Sequence, residues 1–507
     1  METELAAIPD DALADALRRL PARTLAAARC VCKSWRGVVD GRGLLLPHLL
    51  PHSVRGIFIN YIDHHRPHLF ARPSSSAATA SPEIDAMLGF LPSNDRDWCS
   101  IMDHCDGLLI CDIKWGSQIC VCNPATRRWT LLPPRAEGLR GYAGAHLMFD
   151  PAVSPHYEVV LIPAVPKKPS RPYDWKAKKK QQQEMDGPFC LLSLFTSPDD
   201  TLLPEDQEVE EFQHVDEDED KEPDDPHRLM EWPPSPLQLN VFSSRTEQWE
   251  ARSFIREGEP VGTVEEMRLD PLERLVYGMR RRCAVYQNGA LYVHCRGSFI
   301  IRLSLSSDKY QVINTPANIG NAKPYLGRSG KEVCFGFIDE GQLQVWILKE
   351  SYGKIEWVMR YQHDVHCYAR YASLYNNGIL MAGPWVIKEH NNSVRNSNHT
   401  AETLSKEGFE WDSDNDDTIS VNVGGEDNYC EDFFYILGFH PYKKVVFLGK
   451  PFGAVAYHMD TSKAQYLGNS RPNCYYHGHS NGIYESFVYT PCMIGELQEG
   501  NTDRSTS

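Results

Sequence analysis

The stretch VCNPATRRW, residues 121–129, has a near copy in VFSSRTEQW, residues 241–249, with Val, Thr and Trp at identical spacing. Looser copies run from Ile301 to Tyr310 and from Ala456 to Tyr466, each ending on an aromatic. Each copy reads as a strand leaving a core, a polar turn, and a second strand whose first aromatic wedges between adjacent sheets. One such unit cannot cover its own faces. Several must stack radially, which is the logic of a β-propeller. Around the copies, short aliphatic runs recur between Gly, Asn, Pro and Asp turns, among them Gly107-Leu108-Leu109-Ile110, Val159–Ile162, Leu343–Ile347 and Val445–Leu448. From residue 98 onward the expected fold is therefore a large all-β domain, a propeller of about six blades rather than a β-sandwich or two smaller sheets. The runs at Gly56–Tyr61 and Phe487–Tyr489 are expected to pair and close the ring, since closure removes exposed edges.

The first fifty residues follow a helical period instead. Leu13, Leu17 and Leu20 share one helix face, Asp10 and Asp11 occupy its first turn, where the macrodipole favours negative charge, and Pro21 stops it. A second series, Leu25, Ala28, Val31, Cys32, Trp35 and Val38, also keeps helical spacing, with Arg29, Lys33 and Arg36 largely opposite. Two or three such helices bury too little surface to stand alone, so an apolar side should dock on another chain or on the following domain.

The string Ile8-Pro9-Asp10-Asp11-Ala12-Leu13, then Leu17-Arg18-Arg19-Leu20-Pro21, Leu25, and Val31-Cys32-Lys33-Ser34-Trp35 resembles the F-box, the segment that binds SKP-type adaptors of cullin-RING ubiquitin ligases. The resemblance implies a small all-α module of three helices. It implies that Ile8, Pro9, Leu17, Leu20, Pro21, Leu25, Val31, Cys32 and Trp35 form or support the adaptor-binding face, with Lys33 at its polar edge. Ala12 and Ala16 stand where the family has larger aliphatics, and Leu44-Leu45-Leu46-Pro47 replaces a Pro-Phe; a smaller contact weakens binding by on the order of 1 kcal/mol per missing side chain. Cys30-Val31-Cys32 lacks the Cys-x-x-Cys spacing and the second ligand pair of a zinc site, so Cys32 reads as a small interface hydrophobe and Cys30 as flanking packing. Further along, Cys105-Asp106-Gly107-Leu108-Leu109 and Cys122-Asn123-Pro124-Ala125-Thr126-Arg127-Arg128-Trp129 resemble the F-box-associated propeller domain of plant F-box proteins, clearly over residues 100–135 and diffusely afterwards.

Composition narrows the function classes. The 507 residues hold 52 Lys+Arg against 68 Asp+Glu, a net charge of -16 that repels nucleic acid. No run is long and apolar enough for a membrane helix and no secretory leader is read, so an intracellular, cytoplasmic and/or nuclear protein with reduced thiols is expected among its 15 cysteines. Gly478-His479-Ser480-Asn481-Gly482 fits the nucleophile-elbow pattern, but the following residues look extended and no His follows to complete a triad. His64, His65 and His68, or Cys474 with His477 and His479, lack a matching second half for metal, and Arg280-Arg281-Arg282 reads as a solvated strand edge.

The expected organisation is an F-box helical domain at 1–50, a linker at 51–97 with a ring-closing strand, the propeller at 98–490 and a flexible tail at 491–507. Insertions are expected near 165–235, with a basic block from Lys167 to Lys180, the Phe189–Phe195 patch and the acidic run Asp216–Asp220, and near 389–428. The function that follows is a non-catalytic substrate-recognition subunit of an SKP-cullin-F-box ubiquitin ligase, with an SKP-type adaptor and an unknown protein target as partners, no nucleic acid, no membrane, no cofactor and no metal. The alternatives are a propeller-fold enzyme with an unrelated helical leader, or a non-degradative F-box scaffold.

Overall fold

The computed structural model describes residues 9–168, 225–388 and 434–497, leaving out 52, 74–83, 94–96, 115–116, 135–140, 270–273, 276–277, 280–282, 297, 317–321, 352–353, 367–374, 377–378, 381–382, 451, 473–481 and 495–496. Ile8, Lys178–Lys180, Phe189–Phe195, Asp216–Asp220, Arg280–Arg282, Cys474, His477, His479 and Ser480 therefore lie outside the described residues.

The chain opens with α1 (Asp10–Arg18), α2 (Ala22–Ala28), α3 (Lys33–Gly41) and the single turn α4 (Leu46–Leu49). Leu13, Ala14, Leu17, Leu25, Ala28, Val38, Val39 and Leu44 close a small core between them. Pro9 and Pro21 precede α1 and α2, fixing the backbone just before each first turn. The second apolar series is not one helix: it breaks after Ala28, and α3 restarts with Cys32 as N-cap, its Sγ accepting the Trp35 N–H at 3.5 Å.

Six four-stranded antiparallel units follow among the described residues. Sheet 1 holds Gly56–Tyr61, His68–Ala71, Val386–Lys388 and Ile483–Tyr489; sheet 2 holds Cys99–Cys105, Leu108–Ile113, Gln118–Asn123 and Arg128–Leu131. Sheet 3 is built from Tyr142–Met148, Glu158–Pro163, Leu237–Ser243 and Gln248–Glu257, and sheet 4 from Ala284–Gln287, Ala290–Cys295, Phe299–Ser304 and Lys309–Asn314. Sheet 5 spans Tyr325–Ser329, Glu332–Asp339, Gln342–Ser351 and Lys354–Asp364; sheet 6 spans Tyr435–Phe439, Val445–Lys450, Gly453–His458 and Lys463–Asn469. Sheets 3 and 4 join at their outer edges, where Ile255–Glu257 runs parallel to Lys309–Gln311, into one eight-stranded sheet.

What makes the region propeller-like is where the apolar residues go. One buried cluster lies between each pair of neighbours: sheets 1 and 2, 2 and 3, 3 and 4, 4 and 5, 5 and 6, and 6 and 1. Each sheet covers one face on each neighbour, so none needs a separate second layer. The copies seen in the sequence supply the wedges: Trp129 packs into the cluster between sheets 1 and 2, Trp249 into that between 2 and 3, and Tyr310 into that between 3 and 4. Trp249 also donates its indole N–H to Pro133 O at 3.0 Å. The turns repeat as well, with Arg127, Glu247, Asp308 and Ser462 in left-handed backbone immediately before the outer strands. Pairing aligns three copies on their aromatic, since Cys122 faces Trp129, Phe242 faces Trp249 and Leu303 faces Tyr310; in the fourth the matching residue, opposite Tyr457, is Ala464, and the expected aromatic Tyr466 lies two residues further on.

The β region begins at Gly56, inside the stretch expected as linker, and Gly56–Tyr61 pairs along Ile483–Tyr489 with Phe58 opposite Phe487. The stretch expected as a tail starts as a packed strap, for Cys492 and Leu497 are buried against sheets 2 and 3. Its hydrogen bonds reach back to the helices: Met493 N–H donates to Leu49 O at 2.9 Å.

Candidate functional site

The helical module divides the residues singled out in its sequence into two sets. Leu17, 2% exposed, and Leu25, 0% exposed, sit inside the module's own core and hold the helices together rather than meeting solvent. Pro9, Pro21, Val31, Cys32 and Lys33 are exposed, while Leu20 and Trp35 are half-buried at the rim of that core. Val31 stands on the α2–α3 turn and is 65% exposed. Cys30 is exposed too, its thiol donating to Ala26 O at 3.7 Å, so it does not pack as expected. Ion pairs cross between the helices on this surface. Arg29 grips Asp40 through two bonds of 2.6 and 3.0 Å, which holds the Asp40 carboxyl below its usual range, and Arg42 reaches Asp11 at 2.6 Å.

The two ends of the propeller-like region differ. A cavity of about 260 Å³ is lined by Asp106, Asp150, Gln287, Arg328 and Pro441, residues at or just past the C-terminal ends of five innermost strands, and by Leu50 and Pro51 of the tether. The innermost strands thus end on one face, where the chain turns tightly at Asp106-Gly107 and Asn288-Gly289, and the helical module is attached there. Tyr442 fixes the tether by donating to Pro51 O at 2.9 Å. Across the same mouth Arg328 of sheet 5 holds Asp106 of sheet 2, the sheet opposite it in the ring. Burial works against the Arg328 charge, yet the Asp106 carboxylate more than offsets it and raises the guanidinium's pKa. Both long insertions leave from the other face: Pro163 lies opposite Tyr142 at the start of an innermost strand, and Lys388 is followed, after the undescribed residues, by the innermost strand Tyr435–Phe439. Arg268 clamps both roots of the first insertion, donating to Pro166 O at 2.7 Å and to the Asp225 carboxylate.

A family model described as the F-box domain matches residues 5–46. The chain carries an F-box domain. Among Arabidopsis thaliana proteins that bear the F-box name, one is 30% identical over 197 residues, covering 38% of this chain and 61% of its own. Another F-box protein is 26% identical over 134 residues (26% and 32%), and a relative with an F-box/kelch-repeat name is 26% identical over 143 residues (25% and 32%). The chain thus spans less than two thirds of the length of these relatives. A solved structure of YjhT aligns over 62% of this chain and 88% of its own at 11% identity, with a TM-score of 0.24, too low to bear on the fold. F-box proteins generally act as substrate-recognition subunits of SCF ubiquitin ligases.

Beyond the F-box, of the histidines weighed in the sequence His64 and His68 stack edge to face at 5.1 Å beneath Tyr61, and among the described residues no group of three or more metal-ligating side chains converges. The motif residues of sheet 2 have a role the sequence did not disclose. Asn123 donates to Cys492 O at 2.9 Å and Tyr489 Oη accepts the Ala125 N–H at 3.1 Å, so Cys-Asn-Pro-Ala receives the closing segment.

Burial, and secondly the His64 charge, push His68 down to about 4 from an ordinary 6.5. The folded state therefore holds His68 neutral while the unfolded chain takes up a proton below 6.5, and stability falls as pH drops from 6.5 towards 4, by up to about 3 kcal/mol. Asp63, at 2.9 Å from His64, and the buried Arg66 share this environment. In His68→Phe, denaturant midpoints measured between pH 6.5 and 4.5 are expected to flatten; a slope equal to that of the parent would refute the assignment.

Proposed function

We propose that this chain is the substrate-recognition subunit of an SKP-cullin-F-box ubiquitin ligase. Pro9, Pro21, Val31, Cys32 and Lys33, with the half-buried Leu20 and Trp35, contact an SKP-type adaptor and through it the cullin-RING ligase. Ile8 belongs to that face by resemblance, and Leu17 and Leu25 support it from behind. The propeller-like region presents a target protein on the face from which the insertions leave, away from the F-box tether. In this reading the chain breaks and makes no covalent bond, requires no cofactor, and contributes proximity, raising the concentration of target lysines near the transferring enzyme. It works in the cytoplasm and/or nucleus, and among the described residues no helix is long and apolar enough to cross a membrane.

The observation that carries the reading is Val31, an aliphatic side chain left 65% exposed on a module where Leu20 and Trp35 are also only half-buried and where Leu13, Leu17, Leu25, Val38, Val39 and Leu44 are spent on the core. Val31→Asp is expected to lower capture of a purified SKP-type adaptor by about thirtyfold or more, the cost of placing a charge at the centre of an interface. Its thermal unfolding should stay unchanged because the residue is exposed. Undiminished capture by Val31→Asp and by a Leu20→Asp, Trp35→Asp double variant would remove the adaptor assignment.

A further inference from the structure

The described thiols are unevenly exposed. Among the described residues Cys30 and Cys32 are the exposed ones; Cys283 is half-buried and the others are buried. Burial pushes the Cys105 and Cys120 thiols well up, Cys334 to about 12 and Cys492 to about 11, which keeps them protonated and poor nucleophiles. Of the described thiols, the pair on the α2–α3 turn is thus the one that an oxidant or electrophile in solvent meets first.

We infer that Cys30 and Cys32 form a modification site at which a mixed disulfide with glutathione uncouples the F-box from its adaptor. This rests on the adaptor reading above. The two thiols flank Val31, the most exposed large apolar side chain among the module's described residues, so a tripeptide attached to either covers the same surface. The setting also suits an anionic adduct: Lys33 and Arg36 are exposed cations within the next turn, whereas the nearby Arg29 is already engaged by Asp40. Cys32 caps α3 through its Sγ, so an adduct there also disturbs the first turn of the helix that carries Trp35.

The chemistry is thiol–disulfide exchange. One cysteine loses its proton and its sulfur attacks a sulfur of glutathione disulfide. A new S–S bond forms as the old one breaks, and the departing glutathione thiolate takes up a proton. The cysteine is oxidised, the released glutathione reduced, and a second thiol reverses the step.

The test uses the full chain and glutathione disulfide as probe. Peptide mapping by mass spectrometry should place a glutathionyl group on Cys30 or Cys32, with adaptor capture falling about tenfold or more and returning on reduction. In a Cys30→Ser, Cys32→Ser double variant, which keeps a hydroxyl able to cap α3, adaptor capture after oxidation should equal that variant's own capture before it, whatever its affinity relative to the parent. Modified parent chain that binds as well as reduced chain, a pair left unmodified, or equal loss of adaptor by the oxidised double variant would each overturn the inference. If the reduced parent captures no adaptor, it is the adaptor reading that fails and the switch fails with it, while the mapping still decides whether the pair is the reactive site.

Discussion

Gly107→Val is expected to prevent the propeller-like region from closing, leaving a chain that is insoluble or that unfolds without a single cooperative transition. Gly107 has φ +92, and a Cβ built there would lie 2.5 Å from Cys492 Cβ, 2.6 Å from Cys492 N and 2.9 Å from Thr490 O. Two of these neighbours are backbone atoms of the closing strap, so relief requires the strap to move. Moving it breaks the bond from Asn123 to Cys492 O and that from the Ala125 N–H to Tyr489 Oη, and exposes Tyr489, which is 1% exposed. The left-handed backbone alone costs a β-branched residue about 2 kcal/mol, and the lost closure adds several more, a large share of the stability of any domain. Urea or thermal unfolding followed by near-ultraviolet circular dichroism measures it. A midpoint within a degree or two of the parent's would show that the strap does not close the ring.

The second large effect lies across the channel mouth. Asp106→Asn preserves shape and tolerates φ 42 at that position, but leaves the largely enclosed Arg328 without its counter-charge. The expected loss is about 3 kcal/mol, the range for removing one partner of a buried pair. Arg328→Leu should cost a similar amount by stranding Asp106. The double variant should recover much of the loss, since neither charge then remains, and a thermodynamic cycle from chemical denaturation isolates the coupling. Simple additivity of the two single changes would mean that the bridge does not span the mouth.

How much of this was legible beforehand depended on whether a contact was local. The hairpin between third and fourth strands could be read from Val121–Trp129 because everything it needs lies within nine residues: a strand end, a left-handed turn position and an aromatic that wedges between sheets. The short helices could be read from the spacing of Leu13, Leu17 and Leu20. Periodicity identified the apolar face of each helix without telling which residues meet the module's own core and which stay bare. Leu17 and Leu25 turned inward, and Val31 and Cys32 came to the surface because the chain breaks at the Cys32 cap, a polar role that a thiol's hydrophobic reputation conceals. Asn123 and Gly107 looked like turn residues, and their partners at Cys492 lie more than 360 positions away, where no local pattern points to them. The outer strand of sheet 1, Val386–Lys388, comes from between sheets 5 and 6 in the chain, and nothing in three residues announces such an excursion.

Sheet 1 joins residues from the beginning of the β region to the last strand, and this sets an order of events during synthesis. The helices of the F-box have their own core and are complete while hundreds of residues are still to be translated. The ring cannot be finished until Ile483–Tyr489 leaves the ribosome. A message cut short between the helices and that strand therefore yields a chain whose helical segment is fully translated but whose sheet edges stay open and unmated.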